Sequence, residues 1–224
     1  MSAATLLFCT SYCPVEASWR ERQRRWLDHH LPLPLAHDAV FVLDDASPFV
    51  PSDQHAMVLS DLPEVLPRGP AAFVYRFANR EGRAGIKGHR GWWRSFLFSL
   101  TIARRYRYSR IVHIESDAYL LSRRIVDYIN AIDRGWTVFW CPRYNCPEPA
   151  LQIIAHDQFD AMAGVASRSL DTLTQGIAEM TLPFTHVERS FTGNRYGEFR
   201  MSIPSYADFA CQVNSQDLAV TYRS

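Results

Sequence analysis

Five short apolar runs, at residues 5–9, 40–43, 72–77, 110–114 and 137–140, are separated by stretches several of which have helix length, and this alternation limits the fold more than any other property of the chain. The runs are rich in β-branched and aromatic residues, as strands are. Residues 18–29 carry Trp19, Trp26 and Leu27 among arginines and glutamate, the pattern of an amphipathic helix with a polar outer side. Further helices are expected from about 92 to 105 and over 122–132, the latter capped by Ser122 and ending before Gly135. Strands alternating with helices predict an α/β fold: a doubly wound, mostly parallel central sheet flanked by helices.

With 224 residues, 47% hydrophobic and 21% charged, the chain has the size and composition of one folded domain spanning 1–224. A formal charge of +1 argues against a nucleic-acid partner. No segment reaches membrane-spanning length, and the apolar 5–9 run reads as a buried strand rather than a signal peptide, so a cytoplasmic location is expected, with peripheral membrane contact left open. Five cysteines without a C-x-x-C pair form no disulfide framework; a zinc site from Cys9, Cys13, Cys141 and Cys146 is weighed against reduced, buried thiols, and the thiols are favoured. The proline-rich stretches 31–34 and 63–70 read as loops. Past Pro142 the pattern loosens into a strand near 150–155, helices near 158–165 and 170–180, and an aromatic, arginine-rich tail from 183.

Glu115-Ser116-Asp117 follows Ile111-Val112-His113-Ile114 directly. Because a strand alternates its side chains, Glu115 and Asp117 would project from one face at the strand's carboxyl end, where open α/β sheets bind ligands. Two hard oxygen donors there suit a divalent cation holding phosphate; the competing reading is a solvated turn. Phe41-Val42-Leu43-Asp44-Asp45-Ala46-Ser47 puts two more carboxylates at the same sheet edge. The 79–91 segment holds four glycines and the basic residues Arg80, Arg83, Lys87, His89 and Arg90; glycine lets backbone approach a ligand, and arginine or lysine neutralises a diphosphate.

An amino-terminal strand, the Asp44-Asp45-Ala46-Ser47 strand end, the basic glycine-rich loop entering a helix and the strand ending in Glu115-Ser116-Asp117 together resemble the nucleotide-sugar half of GT-A fold glycosyltransferases, family 2-like in particular. The resemblance covers about residues 4–145, leaving about 146–224 as the acceptor side. It implies a single GT-A-like, Rossmann-like domain that transfers a sugar from a nucleoside diphosphate sugar to a saccharide or glycolipid, as in polysaccharide biosynthesis, expected with inversion. Mn²⁺ or Mg²⁺ would bridge the diphosphate, held by Asp117 with Glu115, although Glu115 departs from the usual D-x-D. Asp44 and Asp45 would bind base and ribose, Glu115 would support the metal or the ribose, and Arg80, Arg83 and Lys87 would contact phosphate.

An inverting transferase needs a general base for the acceptor hydroxyl. Asp157, Glu188, Glu198 and Asp208 are candidates; Glu188 is preferred for its place after Pro183, and His186 is a weaker candidate for a third metal ligand. Trp92, Trp93, Trp136 and Trp140 read as packing residues, and Phe191, Tyr196 and Tyr206 as acceptor-groove aromatics. A nucleotidyltransferase is the alternative enzyme, disfavoured because Cys9-Thr10-Ser11-Tyr12-Cys13 lacks a glycine-rich phosphate loop; a non-catalytic nucleotide- or carbohydrate-binding domain is the alternative without chemistry.

Overall fold

Strand alternation decides how the central sheet is buried. In β1 (Thr5–Ser11), Leu6 and Phe8 enter one apolar layer and Leu7 and Cys9 the other, all four fully buried. The same division runs through β2 (Ala39–Asp44), β4 (Ala72–Arg76) and β5 (Arg110–Ile114), with β3 (Ala56–Leu59) at the edge. Both faces are covered, which is why these strands read as unbroken apolar runs. The computed structural model describes residues 4–52, 56–83, 85, 88–199, 201–214 and 218–224.

One face is covered by α1 (Glu16–Ser18), a π-helical turn over Trp19–Arg24 and α2 (Arg25–His30), which bury Trp19, Trp26 and Leu27. On the other face lies α3 (Arg90–Tyr106), which buries Trp93, Phe96, Leu97 and Leu100. Each fully buried side chain of this kind stabilises the fold by about 1.5–3 kcal/mol. After the short β6 (Tyr119–Leu120), α4 (Arg123–Ala131) packs Ile125, Val126 and Ile129 on the α2 side, with Ser122 capping it by accepting from the Ile125 amide. Then follow β7 (Trp136–Cys141), β8 (Cys146–Ala155), α5 (Phe159–Ala166), α6 (Leu170–Leu173), α7 (Ala178–Thr181), β9 (His186–Glu188), β10 (Gly193–Asn194) and β11 (Phe209–Ala210).

The eight-stranded sheet has the order β3-β4-β2-β1-β5-β8-β7-β9. Its pairs are parallel except where β8 runs antiparallel to both β5 and β7. From β1 the chain builds outward through β2 and β4, then returns to the opposite side of β1 to lay down β5. Strand order therefore reverses between β1 and β5, and such a switch point opens a crevice beyond the strands' carboxyl ends. A small second sheet, β10-β11-β6, includes β6, which follows the carboxyl end of β5 in the chain. The architecture is the mostly parallel, helix-flanked α/β arrangement expected from the sequence.

Three expectations are refined. The single helix foreseen at 18–29 contains the π-helical turn, and the one foreseen at 170–180 is two short helices, α7 beginning after the extended Ile177. The strand expected at 150–155 starts at Cys146, with its register against β7 shifting between Val138 and Phe139. Among the described residues no helix is long and apolar enough to cross a membrane.

Candidate active site

Thr10 and Ser11 end β1, and Glu115 follows β5, so the switch point brings them side by side. They line a cleft of about 660 Å³ together with Tyr12, Arg22, Asp45, Arg80, Arg83, Trp92, Asp117, Glu148, Glu179, Arg195 and Glu198. Most of these are charged or polar, and Trp93, Pro149, Ala150, Ile177 and Ala178 add apolar surface to the lining.

Glu115 is almost fully enclosed. Thr10 Oγ1 donates to its Oε1 and Oε2 at 2.8 and 2.9 Å, Trp92 Nε1 donates to Oε1 at 2.6 Å, and the Ser116 amide donates to Oε2 at 3.2 Å. His113 Nε2 lies 2.9 Å from Oε1, and the Gln152 amide donates toward His113 Nδ1 at 3.4 Å, which fits the tautomer with its proton on Nε2. Burial opposes the charge of Glu115, but His113, Arg22 and Thr10 outweigh it and hold the carboxyl below its ordinary range. Its oxygens are committed to binding β1, α3 and β5 together.

Asp117 faces the helical layer instead. Its Oδ2 accepts from Arg22 Nη2 at 3.0 Å, and its own backbone carbonyl accepts from the Val213 amide. Burial pushes its pKa up, partly offset by Arg22 and reinforced by Glu115. Arg22 comes from the π-helical turn, a geometry that re-aims a side chain relative to regular helix. Burial would lower the Arg22 pKa, yet Asp117 and Glu115 together raise it, so the guanidinium is held charged.

The two carboxylates ending β2 separate. Asp45 reaches the cleft edge but is spent on the 79–91 loop: its Oδ1 accepts from the Glu81 amide at 3.1 Å and from Arg94, and its Oδ2 from the Gly82 amide at 2.7 Å. Gly91 is required beneath it, since a Cβ there would lie 2.2 Å from Asp45 Oδ2. Asp44 is turned away from the cleft and closes the Asp44–Ser47 turn, accepting from the Ser47 amide at 2.9 Å and from its hydroxyl. The loop pinned by Asp45 sets Arg80 over the Tyr12 ring at 3.8 Å and Arg83 beside His89 at 3.1 Å, both exposed at the rim. Lys87 lies outside the described residues.

The opposite wall comes from β8, α7 and the segment after β10. Glu148 lies where the β7–β8 register shifts, and a bulge of this kind turns a side chain toward a site. Arg195 Nε donates to Glu148 at 2.6 Å and its Nη2 to Glu179 at 2.8 Å, joining all three elements. Burial pushes the Glu148 pKa up against the pull of Arg195. Glu198 is the exposed carboxylate of this wall.

The other expected bases lie elsewhere. Glu188 is on β9 at the far edge of the sheet, accepting from the Ser190 amide at 2.7 Å, with His186 Nε2 at 3.3 Å, so neither lines the cleft. Asp157 accepts from the Gly135 amide, and Asp208 is taken up by Ser122, Arg124 and the Thr192 amide. Phe191 and Tyr196 are buried in apolar clusters and Tyr206 is exposed away from the cleft, while Trp92, foreseen as core, stacks on Phe96 and also faces the cleft. Arg22, Glu148, Glu179 and Arg195 are the cleft residues that sequence reasoning missed; the acid between two prolines, Pro147-Glu148-Pro149, was the one local signal available.

These carboxylates fit a protein-held divalent cation poorly. Glu115 has its oxygens occupied, Asp117 carries a guanidinium on Oδ2, and among the described residues no group of three or more His, Cys, Asp or Glu is arranged to hold a metal. The five cysteines are free thiols.

No family model matches the chain, and no curated protein matches it. Among solved structures it is similar to a glycosyltransferase involved in the glycosylation of the major capsid of PBCV-1, with 10% identity, a TM-score of 0.49, and coverage of 95% of this chain and 94% of that chain. A likeness at this level does not transfer an activity, so the chemistry has to come from the cleft itself.

Proposed function

We propose that the cleft binds a nucleoside diphosphate sugar and that the protein is a glycosyltransferase. The observation that carries this reading is the gathering of Arg22, Arg80 and Arg83 around a switch-point cleft beyond the ends of β1 and β5. Guanidinium groups grip phosphate oxygens bidentately, and a switch-point crevice is where open α/β sheets hold nucleotides. Tyr12, already stacked under Arg80, offers a ring for the base or ribose.

In the transfer, the bond from the sugar's anomeric carbon to the diphosphate oxygen breaks and its electron pair leaves with the diphosphate. An acceptor oxygen bonds to that carbon as its proton passes to a base. Arginines at the diphosphate stabilise the charge that grows on the leaving group. Glu198, an exposed carboxylate on the opposite wall, is suited to take the proton, whereas Glu148 and Glu179 are tied to Arg195. The acceptor would be a saccharide or glycolipid approaching over that wall.

A panel of nucleoside diphosphate sugars, scored by shift in melting temperature, tests the reading. At least one is expected to stabilise the protein, with the shift reduced in an Arg80→Ala, Arg83→Ala double variant. No stabilisation by any member would contradict it.

A further inference from the structure

Resting on the diphosphate-binding reading above, we infer that the guanidinium of Arg22, seated on Asp117, takes the place of a divalent cation, so that the nucleoside diphosphate is held without metal. Asp117 is the carboxylate best placed to ligate a cation in this cleft, yet its Oδ2 is bound to Arg22 at 3.0 Å. The exposures of the two side chains differ in the direction that matters. Asp117 is 6% exposed and Arg22 40%, so the pair shows the cleft its positive end.

Arg22 also has donors to spare. Its bond to Asp117 is the only side-chain hydrogen bond it makes among the described residues, and its buried Nε has no partner. A buried guanidinium N–H is costly to leave unpaired, and a phosphate oxygen satisfies it. Glu115 lies close enough to reinforce the charge of Arg22, but its own oxygens are used by Thr10, Trp92, His113 and the Ser116 amide. A cation entering at Asp117 would therefore compete with Arg22 for Oδ2 and would find the Glu115 oxygens already taken. In this arrangement Asp117 is a positioning residue, and Arg22 is the group that touches the diphosphate.

Isothermal titration of UDP, GDP and ADP into the full chain, once in EDTA and once in MnCl₂, tests this. The wild-type protein is expected to bind at least one of them with the same affinity, within about twofold, in both buffers. Arg22→Met is expected to weaken that binding about tenfold or more in EDTA, the usual loss when a charged hydrogen-bond donor is removed. Mn²⁺ should recover part of the loss, because Asp117 is then released. Wild-type binding seen only with Mn²⁺, or metal-free binding that Arg22→Met leaves intact, would overturn the inference while the diphosphate reading stands. The buffer comparison on unaltered protein holds even if the variant folds poorly. No binding of any of the three in either buffer would take the diphosphate reading down as well.

Discussion

At the scale of single residues, identical side chains take opposite roles according to what surrounds them. Glu188 is the base the sequence favours over Glu198, but Glu188 sits on an edge strand and Glu198 on the cleft wall. Burial opposes the charge of Glu188, yet bonds from Ser190, Tyr128 and His186 pull its pKa from 4.5 to about 2. A carboxyl held low in the folded protein adds stability above its unfolded pKa, and loses that contribution as pH falls from 4.5 toward about 2. Glu188→Gln is therefore expected to cost about 1 kcal/mol at neutral pH by chemical denaturation, a penalty that fades in acid, with turnover unchanged. Glu198→Gln should leave the melting temperature alone and lower turnover by about 10²–10⁴-fold. Asp117 shows the opposite sign: its pKa is raised by burial, so its ionised form works against folding at neutral pH. Asp117→Asn should keep or raise the melting temperature while weakening diphosphate binding; a clear fall in melting temperature together with unchanged binding would contradict its positioning role.

At the scale of elements, the site depends on one pinned loop and one interrupted helix. Asp45 accepts from the amides of Glu81 and Gly82 and from Arg94 of α3, over a Gly91 that has no room for a Cβ. Gly91→Ala is expected to push Asp45 off these donors, costing about 1–3 kcal/mol in urea denaturation and weakening nucleotide binding through the displaced Arg80 and Arg83. Strands β1, β2, β4, β5 and β7 and helices α3 and α4 were legible because their periods are unbroken and Ser122 marks a helix start. β3 was not, since Ala56-Met57-Val58-Leu59 holds a single β-branched residue and no aromatic one. Nor was the π-helical turn legible: one widened turn leaves the spacing of the buried Trp19, Gln23 and Trp26 looking like ordinary helix. The bulge that delivers Glu148 depends on pairing with β7, which no local pattern encodes.

At the scale of the whole molecule, function follows from where strand order reverses. The sequence could say that Glu115 and Asp117 end a strand, and it did locate the cleft edge; it could not say that β5 neighbours β1, which is what sets Thr10 against Glu115 and Arg22 against Asp117. The two acids were read as a matched pair on one face, whereas tertiary contacts give one to the α3 side and the other to the π-helical turn. The opposing wall, built from β8, α7 and Arg195, depends on contacts among elements distant in the chain. Analysis of the small-molecule product released from a nucleotide sugar in the presence of saccharide acceptors tests the central claim most directly. Free nucleoside diphosphate, formed in step with glycosylated acceptor and lost in Glu198→Gln, is the expected result. Release of pyrophosphate, or binding of the nucleotide sugar with no turnover on any acceptor, would contradict it.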